Sequence, residues 1–358
     1  MRFAAAAVAA SSLLSAALAV RGADVVPPDL GRVRSETGAS RVVVDAVVKD
    51  SSRRAVPGLG KDDFRVKVDG KPVALESVEW IPAGRPEVTP EELSGLPGRS
   101  EVSPSAPMEG SAVNELPKGR LIVFFVQSDI GRFRTLGHMR LLHEMGPFIA
   151  DLREDDRVAV VSFLSHLVLR LDFTNDQAAI RRALGRAIYH DEPPRPEQTV
   201  DGPSLLARLP ADEAFNAYYV EDGLRLVAEA LEPLAGAKSI LFLGWGIGIN
   251  RVPKEERLWA EAISALYKSR TRLSALDVST ADYHTLEENL SAFAEMSGGS
   301  YQKTHLFPGL ALKLASEELA GRYVLVFEKP SRPAGVHRIE VSLPNRKGEV
   351  YARPYYID

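Results

Sequence analysis

The sequence predicts an α/β protein with a doubly wound, mainly parallel sheet and, beside it, a small β-sandwich-like module built from both ends of the chain. Three observations predict this fold class. Residues 121–126 are six consecutive apolar residues, which is typical of a strand buried on both faces at the centre of a parallel sheet. Similar runs recur at residues 238–243 and 272–278, with helical periodicity between them. Strands of alternating polarity stand near both chain ends.

The bulk composition indicates a folded globular protein and excludes several classes of function. The chain has 358 residues, of which 45% are hydrophobic, and 44 basic against 48 acidic residues give a net charge of −4. This balance does not indicate a nucleic-acid-binding protein. Because the chain contains no cysteine, disulfides, thiolate metal sites and cysteine nucleophiles are excluded.

Residues 1–23 are predicted to be a signal peptide. Arg2 supplies a short positive start, an Ala-rich apolar run follows, and Ala17 to Ala19 form a small-x-small cleavage pattern. The alternative is a membrane anchor, but the run is short of the roughly 20 apolar residues that span a bilayer. We therefore expect an exported protein, periplasmic or secreted, with no integral membrane segment after cleavage.

Residues 24–84 are predicted to be an N-terminal β segment, and residues 85–118 a Pro- and Gly-rich linker. The β segment contains a strand over residues 41–49 and a hairpin over residues 64–73 with Asp69 and Gly70 at its turn. The linker carries six prolines and no apolar period, so a domain boundary is expected there.

Residues 119–321 are predicted to form the α/β domain. After the central strand, a helix is expected near residues 135–152, and the apolar strands 157–164 and 167–173 form a hairpin or one bent strand. Residues 189–210 are a Pro-rich, acidic insertion, either disordered or part of a recognition surface. The remaining predicted elements are helices over residues 177–188, 212–234, 255–268, 286–294 and 310–320 and a short edge strand at 300–303.

Residues 322–358 are predicted to be a C-terminal β segment that packs with residues 40–84. Alternating strands near 322–328, 337–343 and 350–357 are separated by turns. Two or three strands alone are marginally stable, so each segment is expected to need the other.

Short motifs at both ends and within the α/β domain point to a known family. They are Val43-Val44-Asp45-Ala46-Val47-Val48-Lys49, Lys61-Asp62-Asp63-Phe64, Asp69-Gly70-Lys71, Arg157-Val158-Ala159-Val160-Val161-Ser162-Phe163, Phe173-Thr174-Asn175-Asp176, Arg338-Ile339-Glu340-Val341 and Val350-Tyr351-Ala352-Arg353. With these motifs, nearly the full mature chain resembles bacterial exported proteins with a von Willebrand factor A-related domain. The resemblance implies a Rossmann-like α/β sheet whose usual task is to bind another protein.

The same resemblance implies a metal site whose ligands this chain has replaced. The family holds Mg²⁺ with Asp-x-Ser-x-Ser after the central strand, a Thr from a second loop and an Asp after a later strand. Aligned with these are Gln127 for the first Asp, Asp129 and Gly131 for the two Ser, Asn216 for the Thr and Trp245 for the later Asp. An amide lacks the charge that a divalent ion requires, and an indole offers no lone pair. We therefore expect no cofactor and a degenerate site; a shifted Mg²⁺ site at Ser128 and Asp129 is the alternative to these two residues capping the following helix or turn.

No other pattern predicts a catalytic or nucleotide site. The loop from Gly244 to Gly248 has neither the G-x-G-x-x-G spacing nor the lysine of a P-loop. Trp245 in that loop is either a partner anchor or a packing residue. The seven histidines show no ligand spacing, and no G-x-S-x-G is present.

The function that these observations favour is an exported, non-enzymatic protein-binding module for adhesion or interaction. Its expected binding edge comprises Gln127, Ser128, Asp129, Gly131, Asn216 and Trp245, and its partner is a protein of unknown identity. Two alternatives stay open: a hydrolase with a site formed by the 189–210 insertion, and a structural component of the cell envelope or of a secretion system. The functional prediction rests on fold analogy.

Overall fold

The computed structural model describes residues 41–83, 119–189, 202–248, 253–281 and 283–357. The predicted signal peptide, the predicted linker and much of the 189–210 insertion lie outside the described residues. The predicted fold class is confirmed, because a mainly parallel sheet with helices on both faces is accompanied by two antiparallel sheets.

The described ranges contain fourteen strands. In chain order they are β1 (Arg41–Lys49), β2 (Arg65–Val68), β3 (Lys71–Val73), β4 (Leu75–Pro82), β5 (Arg120–Gln127), β6 (Arg157–Phe163), β7 (Leu167–Thr174), β8 (Ala237–Gly244), β9 (Thr271–Asp277), β10 (Tyr301–Lys303), β11 (Gly321–Glu328), β12 (Val336–Ser342), β13 (Glu349–Ala352) and β14 (Tyr355–Ile357).

Seven α-helices lie in the same ranges, all in the α/β domain. They are α1 (Arg132–Ala150), α2 (Gln177–Tyr189), α3 (Ala211–Phe215), α4 (Val220–Leu231), α5 (Pro253–Lys268), α6 (Glu287–Met296) and α7 (Pro308–Glu318). Within these ranges, no helix combines the length and the apolar character needed to cross a bilayer.

The central sheet has six strands in the order β10-β9-β8-β5-β6-β7. All neighbours pair in parallel except β6 and β7, which form an antiparallel hairpin at one edge. The chain first builds outward from β5 to β7 and then returns to build from β8 to β10 on the other side. The order of the strands therefore reverses between β5 and β8, which is where open α/β sheets bind ligands.

Alternation along β5 divides the core into two layers. Leu121, Val123 and Phe125 point into a cluster covered by α4, α5 and α6. Ile122, Phe124 and Val126 point into a second cluster covered by α1, α2 and α7. This explains why the strand has no polar alternation: both of its faces are buried by helices.

The two chain ends form the predicted β module from two antiparallel sheets. Their orders are β13-β1-β11-β4 and β14-β12-β2-β3, so each sheet contains strands from both ends of the chain. Apolar side chains of both sheets share one buried cluster, with Tyr323 and Phe327 among its largest members. The turn between β2 and β3 has positive φ at Asp69 (47°) and Gly70 (76°). A tight hairpin turn requires this conformation, and the Asp-Gly pair predicted such a turn.

One predicted helix is wrong. The sequence predicted a continuous helix over residues 212–234, whereas the structure has α3 and α4 separated by residues 216–219. Asn216 ends α3, and its side-chain Nδ2 donates a hydrogen bond to the Asp212 carbonyl at 2.8 Å. Tyr219 is extended before α4 begins. Side-chain to backbone bonding of this kind competes with continued helix and accounts for the break.

Candidate functional site

The candidate site lies where the exits of β5 and β8 meet, at the reversal of the strand order. β5 ends at Gln127 and β8 ends at Gly244, and the two strands are paired in parallel, so both exits emerge at the carboxyl edge of the sheet. Of the predicted site residues, Gln127 and Trp245 are in direct contact there. The position of the site follows from the topology and was predicted from the buried strand.

Gln127 fastens the β8 exit loop to the central strand. Its side-chain Oε1 accepts hydrogen bonds from the backbone N–H groups of Trp245 (2.8 Å) and Gly246 (3.1 Å). Its Nε2 donates to the Gly246 carbonyl at 2.8 Å. The side chain is buried, so the amide meets three backbone groups that would otherwise lack partners.

Ser128 and Asp129 have different local roles. The Ser128 hydroxyl donates to the Ala187 carbonyl at 2.9 Å, which ties the β5 exit to the end of α2 rather than capping α1. Asp129 Oδ1 accepts from the N–H of Gly131, the N-cap residue of α1, at 2.6 Å. Asp129 therefore closes a turn immediately before the helix, as the capping alternative predicted for it.

Arg134 occupies the space next to Asp129 and was not singled out from the sequence. Its guanidinium forms an ion pair with Asp129 Oδ2 and lies 3.5 Å from the ring centroid of Trp245. Burial raises the pKa of Asp129, but the hydrogen bonds from Arg134 and Gly131 outweigh it and hold that pKa below its usual value. One sequence signal could have identified Arg134: a cation in the first turn of a helix opposes the helix dipole and needs a compensating partner.

Trp245 is half-buried and packs on the cluster beneath α1 and α7. Arg134 covers one face of its ring, and among the described residues no acceptor lies within hydrogen-bonding distance of its buried Nε1. The indole therefore packs against the core, which is one of the two roles that the sequence left open, and it also borders the edge. Whether it anchors a partner stays a prediction.

Asn216 lies in the loop between α3 and α4, and its amide is engaged locally. Besides its bond to Asp212, its Oδ1 accepts from the Tyr218 hydroxyl at 3.2 Å. The residue that reaches the β8 exit loop from this side is Glu221, in the first turn of α4. Its buried carboxylate accepts from the Gly248 N–H at 2.5 Å. This contact was not predicted, because α3 and α4 were expected to form one helix.

A second polar cluster stands at the end of β9. The buried Asp277 carboxylate accepts from the Tyr301 hydroxyl (2.5 Å) and the Ser279 N–H (2.9 Å), and His284 Nε2 lies 2.7 Å from it. Burial, followed by the bond to Asp277, raises the pKa of Tyr301 above its usual range. Within the described ranges, no hydroxyl group is hydrogen-bonded to the other ring nitrogen of His284.

Large apolar side chains are exposed along the same edge of the sheet. Most of them follow the ends of β5, β6, β9 and β10. The others precede α4, a helix that begins at this edge and leads to β8. We call this set the apolar rim, and its members are Ile130, Phe133, Leu164, Phe215, Tyr218, Tyr283, Leu306, Phe307 and Leu310. Ile130 is 82% exposed and Phe133 is 72% exposed, although each stands within six residues of the buried end of β5. Exposed apolar residues gathered at one site are typical of interaction surfaces.

Across the described parts of the chain, no group of three or more His, Cys, Asp or Glu residues is arranged to hold a metal ion. At the β5 exit the Asp129 carboxylate is paired with Arg134, and the Glu221 carboxylate at the β8 exit loop accepts from the Gly248 N–H. The neighbouring Gln127 amide is bonded to backbone groups on both its oxygen and its nitrogen. The side-chain oxygen atoms of Asp129 and Gln127 are therefore engaged by other groups of the protein.

Comparisons with known proteins give likenesses of fold. No family model matches the sequence, and no curated protein matches it. Solved structures similar to this chain include a mutant of the PilB minor pilin from Streptococcus sanguinis, with 14% identity over 60% of this chain and 62% of that chain and a TM-score of 0.38. Others are a von Willebrand factor type A structure from Catenulispora acidiphila (11% identity, 66% and 65% covered, TM-score 0.38) and BatB from Bacteroides thetaiotaomicron (12% identity, 56% and 98% covered, TM-score 0.36). This chain spans less than two thirds of the first two of these structures.

The class of protein follows from the sheet itself. A six-stranded, doubly wound sheet in the order β10-β9-β8-β5-β6-β7, with helices on both faces, is a Rossmann-like α/β domain. Because each TM-score is below 0.5, the assignment of fold rests on the strand order and not on these likenesses.

Proposed function

We propose that this chain is an exported, non-enzymatic module that binds another protein through the carboxyl edge of its central sheet, without a bridging divalent cation. The observation that carries the proposal is the Arg134 guanidinium, paired with Asp129 and stacked on Trp245 at the reversal of the strand order. A fixed cation of the protein stands where the resemblance implies a metal ion.

The charges at this position favour a metal-free edge. Mg²⁺ needs about six oxygen ligands in near-octahedral geometry, and it usually requires one or two carboxylates. Asp129 offers one carboxylate, which already pairs with Arg134. An ion placed about 4 Å from the guanidinium would be repelled by about 4 kcal/mol for each unit of its charge at an effective dielectric constant of about 20. Binding would thus require Arg134 to leave both Asp129 and the Trp245 ring.

The apolar rim supports a protein as the partner. Phe133 and Phe307 are exposed by 72% and 66%, and both stand in the first turns of helices or immediately before them, so their backbones are fixed. Aromatic anchors on a rigid frame lose little conformational entropy on binding, and such residues dominate the energy of many interfaces. The Asp129 and Arg134 pair would lie among these anchors as a polar element.

Capture of a partner protein in the presence and in the absence of a chelator tests this function. The mature chain is immobilised and exposed to an exported protein fraction, once in EDTA and once in excess Mg²⁺. We expect capture of the same protein in both buffers, with at least a tenfold loss for Phe133→Ser, as expected for an anchor worth about 1.4 kcal/mol or more. Arg346→Ser, on an exposed side chain of the β module, is the control and should bind as wild type.

The outcomes separate the parts of the proposal. Capture that disappears in EDTA would contradict a metal-free edge. Equal capture by wild type and Phe133→Ser, with loss on the Arg346→Ser control, would move the binding surface to the β module. Export is tested separately by N-terminal sequencing of the chain recovered outside the cytoplasm, where cleavage near Ala19 or Ala23 is expected.

A further inference from the structure

A cluster of guanidinium groups lies at the junction of the β module and the α/β domain, away from the candidate site. Asp45 on β1 meets Arg270, which directly precedes β9, and Arg322 on β11. Arg272 on β9 and Arg353, between β13 and β14, also lie close enough to interact with Asp45 electrostatically. Four positive side chains therefore surround one carboxylate.

Asp45 is already shared by two of the four cations. Arg270 donates to both carboxylate oxygens, from Nε to Oδ2 at 3.0 Å and from Nη2 to Oδ1 at 2.7 Å. Arg322 Nε also donates to Oδ1, at 3.0 Å. Burial alone would raise the pKa of Asp45, but the charges of Arg270 and Arg322 more than offset it and hold that pKa far below its usual value. Asp45 is thus a fully ionised anion with little capacity left for further cations.

Arg272 and Arg353 meet carbonyl oxygens instead of carboxylates. Arg272 Nη2 donates to the Glu318 carbonyl at 3.1 Å. Arg353 donates to the carbonyls of Tyr267 (3.3 Å) and Val43 (2.7 Å), while among the described residues its buried Nε has no acceptor. The Glu318 carboxylate is paired directly with Lys49 at 2.5 Å, and its charge acts on Arg272 only from a distance. Both side chains are half-buried, and charges partly withdrawn from water are stabilised by an opposite charge.

A small cavity adjoins these groups. It has a volume of about 20 Å³, and its lining includes Asp45, Arg270, Arg272 and Arg353 together with Tyr267 and Ser297. A cavity needs about 10–15 Å³ of space to hold one water molecule. The space therefore has room for at least one particle of about that size. Its charged lining consists of three guanidinium groups against one carboxylate.

We propose that this cavity binds a single chloride ion that braces the β module against the α/β domain. Chloride is close to water in size and adds a negative charge beside an excess of cations, whereas a water molecule would fill the volume without adding any charge. The unmatched Nε of Arg353 is a ready donor for the ion. Burial also lowers the pKa values of Arg272 and Arg353, because it disfavours their charged forms.

Thermal unfolding in matched salts tests the site. The full chain is heated in sodium chloride and in sodium gluconate at equal ionic strength, because gluconate is a much larger anion than chloride. We expect the midpoint to rise by about 2–4 °C in chloride at ten times the dissociation constant, and bromide to replace chloride. Equal unfolding midpoints in chloride and gluconate, at every concentration from about 1 mM to about 500 mM, would overturn the proposal.

A pair of matched variants locates the effect. Arg353→Gln should lose the difference between chloride and gluconate, whereas Arg346→Gln, an exposed arginine that pairs with Asp63, should keep it. A chloride effect that persists in Arg353→Gln would place the ion elsewhere and overturn the assignment. Should Arg353→Gln fail to fold, crystals of the wild-type chain grown in bromide decide the question: an anomalous peak between Arg272 and Arg353 supports the site, and its absence overturns it.

Discussion

Replacing Gln127 by methionine tests whether this side chain fastens the β8 exit loop. Methionine has a similar length and fits a buried position, so the change removes the amide with little change of volume. It leaves three backbone groups without their present partners, the N–H groups of Trp245 and Gly246 and the carbonyl of Gly246. Each of these bonds is worth about 1 kcal/mol, so the loop should become about 3 kcal/mol easier to open.

Hydrogen exchange followed by mass spectrometry measures this local opening directly. A change of about 3 kcal/mol corresponds to roughly a hundredfold faster exchange for a peptide that covers residues 244–248. Gln302→Met is the matched control, because Gln302 lies half-buried on β10 and makes one long bond, 3.5 Å from Nε2 to Ser300 Oγ. We expect exchange of the same peptide to change by less than about threefold in this control.

The account of Gln127 would be refuted by unchanged exchange in the 244–248 peptide of Gln127→Met. It would also be refuted by exchange that slows on addition of Mg²⁺ to the wild-type chain, because Gln127 would then belong to a metal site. Uniformly faster exchange over the whole α/β domain would instead mean that the substitution destabilises the core and not the loop.

Three further predictions concern stability. Gly137→Ala should lower the free energy of unfolding by about 3 kcal/mol or more, because its Cβ would stand 1.8 Å from a backbone oxygen. Gly185→Ala has open space around the new Cβ and should stabilise α2 by about 0.5–1 kcal/mol. Thermal unfolding compares the two variants. Lys49→Met should cost about 3–5 kcal/mol by leaving Glu318 buried without its cation, and Lys49→Met with Glu318→Gln should recover part of this loss. Because the folded-state pKa of Asp45 is depressed, its contribution is present above about pH 4 and lost as the pH falls below that value, so Asp45→Asn should flatten the acid side of a plot of midpoint against pH.

The sequence predicted those parts of the fold that depend on local pattern. The apolar run of β5 identified the central strand because burial on both faces leaves no polar position in it. The turn at Asp69 and Gly70 was predicted because few residues tolerate positive φ at both positions. The break between α3 and α4 was missed because it depends on how the Asn216 side chain bonds to the backbone, while the apolar periodicity of the region continues.

The candidate site was predicted in place but not in detail. Gln127 and Trp245 meet because β5 and β8 pair in parallel, so that both strands end at the same edge of the sheet. Both strands were recognisable in the sequence from their apolar runs. The position of Arg134 depends on a side-chain conformation and on the approach of the Trp245 ring from a strand more than a hundred residues later. The cluster around Asp45 joins residues up to about 310 positions apart in the sequence, for which neither periodicity nor spacing gives a signal.

Calorimetric titration of the full chain with Mg²⁺ and Mn²⁺ tests the claim of a metal-free edge most directly. We predict no binding tighter than about 1 mM for wild type, since Asp129 is paired with Arg134 and Gln127 is bonded to the β8 exit loop. Micromolar binding that is abolished in Asp129→Ala would contradict the account.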